Sequence, residues 1–322
     1  MPILESAFQP AWWLPGAHLP TLWPSLFRVR PPLPGLTRER LELPDGDFLD
    51  LSWNGDPQAP VVLLLHGLEG NLHSHYARPL LQKLAEAGYL ACMLHFRGCS
   101  GEPNRLPRSY HSGDSAELQT VTEHIHNSRG RPIQAMIGFS LGGNVLLKWL
   151  GEQGQQAGIQ RAMAVSVPFL LNQAADRLNQ GFSRIYQKHL LNSMKRKYRE
   201  KFSRIPSPLK VNLEKINSFR EYDEQITAPL HGFAGADDYY QRCSCRQFIP
   251  HIRVPTLILH DRHDPFMWPH TVPEEQELPD NVVLELTRGG GHAGFVSNSA
   301  SSREAYWTDR RLLEWLKEEN QP

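Results

Sequence analysis

The stretch from Ile133 to Leu150 constrains the fold more than any other part of this chain. A short apolar run, Ile133 to Ile137, leads into Gly138-Phe139-Ser140-Leu141-Gly142, and an apolar segment from Leu141 to Leu150 follows at once. The first run has the length of a strand buried on both faces, and the second that of a helix. The pentapeptide therefore occupies a strand-to-helix turn. Such a turn is sharp and crowded, so glycine is needed where a side chain would clash. Its apex lifts the serine hydroxyl into a cleft at the carboxyl end of the sheet. A glycine-rich turn with an incidental serine is the bland alternative, and the strand before and helix after weigh against it.

The same rhythm recurs along the chain. Val61 to Leu65 is a continuous apolar run ending at His66-Gly67, and Leu90 to His95 is another. Between them, Tyr76 to Ala87 carries Leu80, Leu81 and Leu84 on one helical face, with Gly88 as its stop. Asp114 is expected to cap a helix reaching Asn127, its carboxylate accepting amide hydrogens of the first turn. Ala162 to Val167, Thr256 to His260 and Val282 to Leu286 read as further strands, and Leu312, Leu313 and Trp315 mark a terminal helix. Strands alternating with helices predict a mostly parallel α/β sheet flanked by helices. A hairpin turning at Pro44-Asp45-Gly46 precedes them.

This reading gives one domain in three parts. Residues 1–35, rich in Pro and Trp with no clean period, form an irregular N-terminal arm packed on the core. Residues 36–168 and 251–322 form the α/β core. Residues 169–250 contain no convincing strand, but Phe182, Tyr186, Leu190, Met194, Tyr198 and Phe202 recur at helical spacing, which predicts a helical cap inserted between sheet strands.

Bulk properties narrow the function classes. Acidic and basic residues balance at 34 each, so no overall field selects nucleic acid as a partner. Purely apolar runs such as Val61 to Leu65 are far below the roughly 20 residues that cross a bilayer. Glu5, Pro10 and Pro15 break up the N-terminus, which does not read as a secretory signal, and a cytoplasmic location is expected. The four cysteines, Cys92, Cys99, Cys243 and Cys245, then stay reduced.

A serine is a poor nucleophile until a base takes its proton, so the chemistry turns on a histidine and a carboxylate in later loops. His292, embedded in Gly289-Gly290-Gly291-His292-Ala293-Gly294, follows the strand ending near Leu286. A loop offers it no apolar face to be buried in, and loops at strand ends are where catalytic groups gather. The loop after Thr256–His260 offers Asp261 and Asp264. Asp264, deeper in the loop, is the better candidate to orient His292, while Asp261 at the strand end suits local backbone groups. The amides of Leu68, in His66-Gly67-Leu68-Glu69-Gly70, and of Leu141 are the expected oxyanion donors.

Other residues carry weaker signals. His73 with His75, and His124 with His126, lack the further ligands of a metal shell, so neither metal nor cofactor is expected. Arg97 either binds an anionic group or makes a structural salt bridge. Lys195-Arg196-Lys197, Arg199 and Lys201 read as a solvated helix face, with contact to anionic lipid or acyl substrate as the alternative. Trp12, Trp13, Trp23 and Phe27, with Arg28 and Arg30, either pack on the domain or dip into a membrane surface.

Beyond these motifs, Leu41-Glu42-Leu43-Pro44-Asp45-Gly46-Asp47, His66 to Gly70, His95 to Asn104, Tyr110-His111-Ser112-Gly113-Asp114, Gly181-Phe182-Ser183-Arg184 and Asp264-Pro265-Phe266-Met267 together resemble the AB hydrolase superfamily, family 4. The likeness extends through Asp223, Gly232-Phe233 and Asp238-Tyr239-Tyr240, and so covers nearly the whole chain. Pro20 stands where the family usually has Gln, and His263 where it often has Asp. The resemblance implies an α/β-hydrolase fold and a cofactor-free serine esterase of small acyl esters, with Ser140, Asp264 and His292 as its triad. An acyltransferase using the same acyl-enzyme is the nearest alternative, and a non-catalytic binding module of the same fold is another.

Overall fold

The computed structural model describes residues 2–299 and 305–318. Residues 300–304 and 319–322, which the expected core span 251–322 includes, lie outside the described residues, as does Met1.

The chain runs β1 (Ile3–Glu5), α1 (His18–Phe27), β2 (Thr37–Glu42), β3 (Phe48–Asn54), β4 (Val61–Leu65), α2 (Ala77–Glu86), β5 (Leu90–His95) and α3 (Ser115–Arg129). It continues through β6 (Ile133–Phe139), α4 (Leu141–Gln153) and β7 (Ile159–Val165). Then come α5 (Leu171–Leu178), α6 (Ser183–Phe202), α7 (Phe219–Tyr222), α8 (Ala228–His231) and α9 (Ala236–Cys243), followed by β8 (Thr256–Asp261), β9 (Val282–Thr287) and α10 (Trp307–Lys317). Among the described residues nine strands form one sheet in the order β1-β9-β8-β7-β6-β4-β5-β3-β2, parallel except where β3 meets β5 and β2. It is the mostly parallel, helix-flanked α/β sheet that the apolar runs predict.

The central strands are apolar on both sides because both sides are covered. In β4, Leu63 and Leu65 face a core that includes Val145 and Trp149 of α4, while Val62 and Leu64 face one that includes Leu80 and Leu84 of α2. The two half-cores hold the sheet rigid, so the loops at its carboxyl end are presented from fixed points. Between β7 and β8 the chain is helical, and Leu171, Tyr186, Leu191, Phe219, Tyr222 and Tyr239 gather in a core of their own. Among the described residues no helix is long and apolar enough to cross a membrane, and no three His, Cys, Asp or Glu gather as a metal site.

Three expectations are corrected. The N-terminal arm is not irregular throughout: β1 adds a parallel edge strand to β9, and α1 is a ten-residue helix despite Pro24 within it. Pairing with a strand at the far end of the sequence leaves no local periodic signal, and prolines mask the helix. Asp114 stands at the N-cap of α3 but makes no side-chain cap; its carboxylate accepts instead from Arg108, at 3.0 and 3.1 Å. The basic face of α6 is solvated only in part, at Arg196 and Arg199. Lys195 and Lys201 are buried, and Lys197 turns inward to Glu69. The long aliphatic stems pack while the ammonium groups find acceptors, as Lys201 Nζ does on Arg108 O and Ser109 Oγ.

Candidate active site

Ser140 sits between β6 and α4 with φ 51° and ψ −118°, a conformation that a residue with a side chain rarely holds. The glycines around it explain how the turn can close. A Cβ on Gly142 would lie 2.5 Å from His66 O and 2.7 Å from Leu65 O, and one on Gly138 would lie 2.4 Å from Gly142 O. Helix α4 therefore starts hard against the end of β4. The strain is held by neighbours: the Ser140 amide donates to Val165 O at 2.8 Å, and Asn144 N–H closes on Ser140 O at 3.0 Å.

The loops after β8 and β9 converge on this turn. His292 Nε2 lies 3.0 Å from Ser140 Oγ, and His292 Nδ1 lies 2.8 and 3.1 Å from the two carboxylate oxygens of Asp264. Asp264 is buried, and its Oδ1 also accepts the Phe266 amide at 2.8 Å. Three residues chosen from the sequence thus meet at one point. Asp261 does something else. Its carboxylate accepts from Gly290 N–H at 2.6 Å, Thr287 Oγ at 2.8 Å and His263 N–H at 2.9 Å, which ties the β8 loop to the β9 loop.

His292 is braced by residues that sequence reasoning did not single out. Its amide donates to Thr21 Oγ of α1 at 2.8 Å, and the next amide, Ala293 N–H, donates to Ser166 Oγ at 2.9 Å. The Phe266 ring is stacked on its imidazole. Only Phe266 had a sequence signal, as part of Asp264-Pro265-Phe266; Thr21 and Ser166 are ordinary residues until the fold brings them in.

The loop after β4 lies across the nucleophile, since a Cβ on Gly67 would come within 3.2 Å of Ser140 Cβ. His66 anchors it: Nδ1 lies 2.7 Å from Gly67 O, and Nε2 accepts the Phe96 amide at 3.2 Å. Burial pushes the His66 imidazole down to about 3, so it is a neutral strut. Gly67 N–H donates to Tyr76 Oη, Glu69 N–H to Tyr110 Oη and Gly70 N–H to Gly67 O, each at 2.8–2.9 Å. Among the described residues, the Leu68 and Leu141 amides form no such loop hydrogen bond. Glu69, at φ 59°, also accepts from Tyr110 Oη, Lys197 Nζ and Ser193 Oγ, which fastens this loop to α6.

A cavity of about 340 Å³ opens from Ser140 toward the helices between β7 and β8. Leu171, Leu178, Met194, Phe219, Ile226 and Met267 give it an apolar wall. Lys201 also lines it, and burial lowers its amine to about 8. Arg97, the other cation suggested from the sequence, is spent on structure: it is buried against Asp45 and Asp47, each at 2.7 Å, and against Glu117.

Comparison with known proteins agrees with this architecture. A family model described as alpha/beta hydrolase fold matches residues 60–299. The sequence is 39% identical to "Putative esterase YheT" of Escherichia coli (strain K12) over 319 residues, which is 97% of this chain and 93% of that one. It is 28% identical to mouse "Phospholipase ABHD3", covering 98% of this chain and 79% of that one. Among solved structures, the Pyrococcus furiosus esterase Pf2001 superposes with a TM-score of 0.57 at 17% identity, over 88% of this chain and 90% of that one, a likeness of fold alone. A matched span that takes in the β4 loop, the serine turn and the loops of Asp264 and His292 means that the chain belongs to the α/β-hydrolase fold family.

Proposed function

We propose that this protein is a serine esterase that hydrolyses acyl esters through Ser140, His292 and Asp264. The carrying observation is the unbroken line from the Asp264 carboxylate through His292 to the Ser140 hydroxyl, at 2.8 and 3.0 Å. Ester cleavage is also the activity in the name of the Escherichia coli relative, and phospholipase that of the mouse relative.

In the acylation step Ser140 Oγ bonds to the ester carbonyl carbon while its proton passes to His292 Nε2. The carbonyl electron pair moves onto oxygen, where the Leu68 and Leu141 amides receive it at the N-terminus of α4. When the tetrahedral species collapses, the ester C–O bond breaks and the leaving alcohol takes the proton from His292. Water repeats the sequence on the acyl-enzyme and releases the acid. Asp264 holds the Nδ1–H tautomer and stabilises the imidazolium throughout. The apolar wall suits an acyl chain, and the helices between β7 and β8 act as its cap.

The test is labelling with a fluorophosphonate probe together with turnover of p-nitrophenyl esters of increasing acyl length. Wild type is expected to label and turn over, and Ser140→Ala to lose both, with a fall in turnover of about 10⁴-fold or more. Undiminished labelling of Ser140→Ala would refute the assignment.

A further inference from the structure

The esterase reading leaves unused an exposed apolar and basic face built jointly by α1 and α6. On α1, Leu19, Trp23, Leu26 and Phe27 follow the spacing of a single helix side. Trp23 packs between Trp13 and Phe27, with ring centroids 4.7 and 4.2 Å away. Leu26 is 68% exposed and Phe27 59%, while Trp12 and Val29, flanking them, are each 80% exposed. The start of α6 adjoins with Phe182, the residue just before the helix, and Ile185, also exposed. His18 joins the two elements, its ring 4.5 Å from that of Phe182 and its Nδ1 3.1 Å from Tyr186 Oη.

Charge gives a second, independent observation. The whole chain is neutral, yet residues 6–38 contain no Asp or Glu, and neither do residues 177–199. Arg28 is buried against Asp309, but Arg30 stays exposed beside Val29. Arg184 and Lys188, exposed, flank Phe182 and Ile185. Two acid-free segments distant in sequence thus meet at one place. Aromatic rings, aliphatic tips and flexible cations without acids match the edge of an anionic bilayer, where rings settle at headgroup depth and cations meet phosphate.

The position of the face supplies the third. Tyr186, which contacts His18, lies 5.0 Å from Phe266, and Phe266 rests on His292. The apolar face therefore stands a few side chains from the cleft. We infer that it is a docking surface for an anionic phospholipid bilayer, from which hydrophobic esters reach the site without crossing water.

Vesicle flotation of the full chain tests this without relying on catalysis. Wild type is expected to float with phosphatidylcholine vesicles containing phosphatidylglycerol and to bind pure phosphatidylcholine roughly tenfold less. Raising the salt from about 0.1 to 0.5 M should release it in part. Leu26→Asp with Phe27→Asp is expected to abolish flotation while turnover of a water-soluble ester stays at the wild-type level. Arg184→Glu with Lys188→Glu should remove the preference for anionic vesicles. Three results would overturn the inference: wild type that stays at the bottom of the gradient with anionic vesicles, aspartate variants that float as well as wild type, or a dimer that those aspartates dissolve. Loss of ester turnover in wild type with flotation intact would instead count against the esterase reading alone.

Discussion

Phe266 lies flat on His292, ring centroids 3.8 Å apart and planes within 5° of each other. The same residue donates its amide to Asp264 Oδ1, so one side chain and one peptide group brace two members of the proposed triad. Removing the ring opens one face of the imidazole to water and to rotation away from Ser140. Phe266→Ala is expected to lower kcat on a soluble ester by about 10- to 100-fold, since small misplacements of a reacting group are costly. Phe266→Leu should recover part of the loss. An unchanged kcat for the alanine variant contradicts the bracing role.

Thr21 carries the link from the arm to the site, because its Oγ accepts the His292 amide and donates to Ala17 O. Thr21→Val keeps the shape and removes both hydrogen bonds, leaving an amide and a carbonyl without their partner. Chemical denaturation should show a loss of about 1–3 kcal/mol, accompanied by reduced turnover. Thr21→Ser should restore both, and a valine variant with normal activity would show that the arm only covers the loop.

Two glycine substitutions separate crowding from backbone conformation. At Gly142 an added Cβ meets backbone oxygens at 2.5 and 2.7 Å, where nothing can give way. Gly142→Ala is expected to cost more than about 3 kcal/mol or to prevent accumulation of folded protein. Gly46, at φ 83° with nothing within 4 Å of its would-be Cβ, should cost only about 1–2 kcal/mol when replaced by alanine. Thermal melts of the two variants decide the matter, and equal costs would be the wrong result.

Asp223, half-buried beside Tyr240 of α9, accepts hydrogen bonds from Thr227 Oγ1 and Tyr240 Oη, yet desolvation raises its carboxyl to about 6. The folded state then holds a proton that the unfolded chain has released. Stability contributed by this group therefore falls as pH rises from about 4 to 6, by up to roughly 3 kcal/mol. Asp223→Asn should remove that fall. Urea midpoints at about pH 4.5 and 8 measure it; a variant that loses as much as wild type between them rules the mechanism out.

Much of the molecule was readable from residues alone because burial writes itself into sequence. The apolar runs Val61–Leu65 and Leu90–His95 are β4 and β5 residue for residue, since a strand covered on both faces has no polar side to blur its ends. Ser140 stood out because few other turns need glycine on both sides of a serine, and His292 because glycines surround it. What stayed hidden depends on distant partners. The strand Ile3–Glu5 is defined only by β9, and Asp114 prefers Arg108 to its own helix amides because the guanidinium offers a charged donor. The inward turn of Lys195, Lys197 and Lys201 escaped notice because helical spacing shows which residues share a side, and not what lies across from that side.

The pairing of Ile3–Glu5 with Leu284–Leu286 has a bearing on biosynthesis. Ile3–Glu5 leave the ribosome long before their partner strand is made, so this edge stays unpaired while the strands between them are synthesised. The same is true of Thr21, whose hydroxyl waits for residue 292. A nascent chain therefore carries an unpaired β1 and an unassembled centre until β9 and the His292 loop have been made, and completing the sheet edge and completing the active loop become one event.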